Sequence, residues 1–164
     1  MEASEELLTI AELAIGLAGF SGVVVAFNRG GGLRPTDRFR FIALFTSALS
    51  VLVVAFVPFG FHHAGQTGRV LWMGSSAVQL VSWLAIFLVL GIRFRPEFDT
   101  DEQLSNWVSV PLYGLSSLIP ILQFANLMGW PMEPGPLLYL AGLILWLVST
   151  CFLFALLVVF GARD

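Results

Sequence analysis

Glu12 is the one acidic side chain set well inside an apolar run of this sequence, the run from about Leu7 to Phe27. An ionised carboxylate in hydrocarbon is costly unless it is hydrated or paired, and desolvation favours its protonated form. Such a residue can exchange protons. No apolar run supplies an arginine or lysine to pair with it. On a helical wheel Glu12 aligns with Gly16, Gly19 and Val23. Two readings are open: a long side chain reaching the headgroup region, or a buried proton-exchanging group at a helix interface.

Three amides form the second group: Gln79, Gln123 and Asn126. Asn106, Ser109, Tyr113, Ser116, Pro120 and Gln123 follow spacings of three and four, so they share one helix face, with Ser117 and Asn126 at its edges. Ser75, Gln79 and Ser82 make a matching face in the preceding run, and Thr46, Ser47 and Ser50 another in the run before that. Lipid penalises such faces, so they must point into a bundle. There they either hydrogen-bond one another or line a ligand or ion path through Gln79, Gln123 and Asn126. Pro120 removes a helical hydrogen bond and predicts a kink.

The remaining reactive types lack partners in the pattern. His62 and His63 are adjacent, and a metal needs three or four converging ligands, so no metal site is expected. Cys151 is the only cysteine, which excludes an intramolecular disulfide, and no histidine lies at its depth to activate it. Gly30, Gly31 and Gly32 lack the lysine and hydroxyl of a phosphate-binding loop. No catalytic residues and no cofactor are expected, and the chain does not read as an enzyme.

Apolar runs of helical length must hold these residues. Of 164 residues 57% are hydrophobic and 12% charged, about half the charged share of a soluble domain. The runs lie near residues 7–27, 41–61, 70–92, 107–129 and 137–161, and a helix of ~20 apolar residues crosses the hydrocarbon core. The prediction is one all-α polytopic transmembrane bundle with five spans, or four if the fourth run is re-entrant. Short connections make neighbouring helices antiparallel. The acidic start, Glu2 to Glu6, lacks the positive region of a signal peptide, so the first run should be retained.

All the basic residues are arginines. Arg29, Arg34, Arg38, Arg40, Arg93, Arg95 and Arg163 fall on one side of five spans, and Arg69 alone on the other. The positive-inside rule makes the first side cytoplasmic, with the N-terminus outside and the C-terminus inside. Trp72, Trp130 and Tyr139 then form an outer aromatic belt, with Trp107 at the inner interface. No basic stripe supports nucleic-acid binding.

Ala14, Ala18, Gly22 and Ala26 recur every four residues. Small residues in this pattern let helices approach closely in lipid, as an internal packing seam or as a seam between copies. The stretch from Ala11 to Val25, AELAIGLAGFSGVVV, resembles the opening helix of small bacterial multi-pass inner-membrane proteins of uncharacterised function. The resemblance implies a bacterial inner membrane and supplies no activity. A carboxylate in the first helix is also similar to that of the small multidrug resistance transporters. This chain departs from them in length, span number and aromatic pattern, so no residue is carried over.

The leading functional expectation is an interaction or accessory subunit that forms a homo-oligomer or joins a larger membrane complex. The segment from Arg93 to Glu102, basic then acidic, is its candidate contact. The alternative is proton-coupled transport of a small molecule or ion through Glu12.

Overall fold

A computed structural model describes residues 3–27, 35–93, 106–130 and 133–161, with the side chains of 27, 35–37, 106–113, 160 and 161 not described. The expected loop contact from Arg93 to Glu102 therefore lies outside the described residues beyond Arg93. So do the first connection and the side chains of Asn106, Trp107, Ser109 and Tyr113.

Among the described residues five helices follow one another: α1 (Ser4–Phe27), α2 (Pro35–His63), α3 (Gly68–Arg93), α4 (Asn106–Met128) and α5 (Pro136–Gly161). No strand occurs among the described residues. α2 and α5 each begin at a proline, which has no N–H to lose in a first helical turn. α2 and α4 end alike. The amides of Gly65 and Gln66 bond back to the carbonyls of His62 and Phe61, and those of Gly129 and Trp130 to the carbonyls of Asn126 and Ala125. This closure needs a left-handed residue, which Gly65 and Gly129 supply at φ 80° and 67°.

α5 is the hub. It packs against the other four helices, and α1 lies along the side formed by α2 and α5. Among the described residues α1 touches neither α3 nor α4, and α2 does not touch α4. The core joins Leu7, Ile10, Ala11 and Ala14 of α1 to Val51, Val54 and Ala55 of α2. Leu71 and Trp72 of α3, Ile119 of α4, and Tyr139, Leu143 and Trp146 of α5 complete it. These positions sit toward one end of the bundle, where α1, α3 and α5 begin. Past Gln79 no α3 residue is buried.

Among the described residues four helices are long and apolar enough to cross a membrane, and the described part of α4, Gly114–Met128, is apolar as well. The outer surface is correspondingly greasy. Phe20, Val53, Val81, Val89, Ile92 and Ile121, on α1 to α4, are each at least 60% exposed, as is Leu137 of α5 at 61%. A water-soluble monomer does not carry apolar surface all round, whereas hydrocarbon tolerates it.

Two expectations are corrected here. Trp72 and Tyr139 do not form an outer belt with Trp130. They are buried, with rings 5.8 Å apart, while Trp130 is exposed. The small stripe of α1 is only half a seam: Ala14 and Ala18 are buried, Gly22 is half-buried and Ala26 exposed. Four-residue steps drift about 40° per step around a helix, so the stripe rotates off the interface. The seam actually used is Leu7, Ala11, Ala14, Ala18 and Ser21, spaced three and four apart.

Candidate functional site

The amides converge where α3, α4 and α5 meet. Gln79, Gln123 and Asn126 are each fully buried. Asn126 is held most firmly. Its Nδ2 donates to Ser76 Oγ (2.8 Å) and to the Gly135 carbonyl (3.1 Å), and its Oδ1 accepts the Gly135 N–H (3.0 Å). It thus ties α3 to the turn that opens α5. Gln123 Nε2 donates to the Leu138 carbonyl at 3.1 Å. That carbonyl would ordinarily accept from the amide four residues on, at Gly142, so Gln123 adds a second donor to it.

Gly142 explains how the glutamines fit. A β-carbon there would overlap the Gln123 amide and lie 2.8 Å from Gln79 Nε2. Only a glycine lets both side chains lie on the α5 backbone. Three amide atoms still have no hydrogen-bond partner: Gln79 Nε2, Gln79 Oε1 and Gln123 Oε1. Buried polar groups are nearly always bonded, so this is a locus of unused polar capacity.

A second polar tie lies near it. Pro58 sits inside α2 and has no N–H, so the Val54 carbonyl loses its helical donor. Tyr139 Oη donates to that carbonyl at 2.6 Å from α5. The hydroxyls of the polar faces behave differently. Ser50, Ser75, Ser149 and Thr150 each bond a carbonyl four residues back in their own helix. Between helices the described hydroxyls give a Ser116–Ser149 contact of 3.5 Å and, at Ser76, the acceptor for Asn126.

The polar faces of α3 and α4 therefore meet directly, with α5 lying against both. Among the described residues the α2 face of Thr46, Ser47 and Ser50 does not reach α4, unlike the expected three-way closure, because α5 packs against both helices. Glu12 is not brought to the amides. It is exposed on α1, which touches neither α3 nor α4 among the described residues. His62 and His63 are exposed, their rings 6.4 Å apart. Cys151 is also exposed. No three metal-binding side chains converge among the described residues.

The sequence reading passed over Ser76, Gly135, Gly142 and Pro58. Pro58 carried a legible signal, being a proline inside an apolar run. Gly142 carried none, since its role depends on two side chains from other helices.

This fold and surface define an all-helical bundle of the membrane-embedded class, with an amide cluster in its interior. No protein-family model, curated protein or solved structure matches the chain.

Proposed function

We propose that this chain is a five-span protein of the bacterial inner membrane that works as an interaction or accessory subunit, forming a homo-oligomer or joining a larger membrane complex. The N-terminus is outside and the C-terminus cytoplasmic, following the arginine distribution. One observation carries the interaction role. Gly16, Gly19 and Gly22 of α1 have nothing from another helix within 4 Å of where a β-carbon would stand. Glycine weakens a helix by about 1 kcal/mol relative to alanine. In membranes it recurs where a second helix approaches closely. Among the described residues the chain's own helices do not approach these glycines, which leaves their face to another subunit. The interior supports the same reading, because the Asn126 amide, Gln123 Nε2 and the Tyr139 hydroxyl hold helices together.

The test is cysteine crosslinking of Gly19→Cys in a Cys151→Ser background, in native membranes. We expect a crosslinked dimer or a discrete adduct with one partner, together with an assembly larger than the monomer in mild detergent. A monodisperse monomer without adducts would exclude the role.

Proton-coupled transport through Glu12 has one observation in its favour, the unpartnered amide atoms of Gln79 and Gln123. It must also explain how Glu12, exposed on a helix remote from α3 and α4, communicates with them.

A further inference from the structure

We draw no further inference here: the strongest candidate, the partly enclosed apolar cavity between the start of α2 and the ends of α3 and α5, walled by Ala43, Trp83, Phe87, Trp146 and Leu153, carries none because nothing in the structure shows what covers or fills it.

Discussion

Tyr139→Phe isolates one interhelical hydrogen bond at almost constant volume. The lost hydroxyl donates at 2.6 Å to the Val54 carbonyl, which Pro58 has deprived of its helical donor. Side-chain hydrogen bonds between membrane helices average only ~0.6 kcal/mol, because the separated helices find other partners. That compensation is weak here. With α2 alone in lipid, the Val54 carbonyl would still lack its donor, since Pro58 is part of the same helix. Orphaning a buried acceptor costs roughly 1–3 kcal/mol. The expected loss is therefore about 1.5 kcal/mol, near the top of the range for membrane proteins. Reversible unfolding in mixed bicelles with increasing dodecyl sulfate can measure it. The same substitution in a Pro58→Ala background supplies the control. There the backbone N–H restored at position 58 can satisfy Val54, so losing the hydroxyl should cost less than about 0.5 kcal/mol. Equal costs in the two backgrounds would refute the link between Pro58 and Tyr139.

Three further substitutions probe the amide cluster, and a fourth probes α1. Gly142→Ala should destabilise the bundle by about 1–3 kcal/mol, because the new methyl displaces Gln123 from Leu138 and crowds Gln79; unfolding at the wild-type midpoint would show that the amides do not pack there. Gln79→Met removes two unpartnered amide atoms at similar volume, and should be neutral or stabilising by up to about 1 kcal/mol. Asn126→Leu strips partners from Ser76 and Gly135, and should cost about 2 kcal/mol; effects of the same sign in these two variants would contradict the hydrogen-bond assignments. Glu12→Gln should leave unfolding and assembly size unchanged, since the side chain is exposed on α1; dissociation of the assembly, seen by size-exclusion with light scattering, would place the carboxylate in a contact.

The helices were legible because hydropathy and turn chemistry act locally. An apolar run names a span wherever its neighbours lie, and Gly129 before the Pro131–Pro136 segment ends α4 by its own backbone preference. The faces were harder, because membrane helices expose apolar residues outward and bury them inward, so burial leaves little periodic trace. Small residues every four positions looked like the α1 seam, yet helical drift carries Gly22 and Ala26 off it. The alternating threes and fours from Leu7 to Ser21 were visible, but Leu7 looked like any other lipid-facing leucine. Amide faces on α3 and α4 pointed inward as expected. Nothing local said that α5 would separate them from α2, since that depends on helix order around the bundle.

The aromatic belt failed for a more instructive reason. Tyrosine at a span end satisfies its hydroxyl most simply at the wet interface, and that is a sound default for Tyr139. The default gives way when a buried acceptor is available. A proline inside a membrane helix creates one four residues upstream, because lipid offers no water to replace the missing N–H. Pro58 therefore creates a demand at Val54, which a donor 85 residues later meets. Had each intramembrane proline been read as an unpaired carbonyl seeking a hydroxyl, an inward Tyr139 would have been a candidate from the sequence. The same rule applied to Pro120 marks the Ser116 carbonyl as the next unpaired acceptor. It lies on α4 in the turn where Ser116 lines a cavity walled by Ala43, Trp83, Phe87, Trp146 and Leu153.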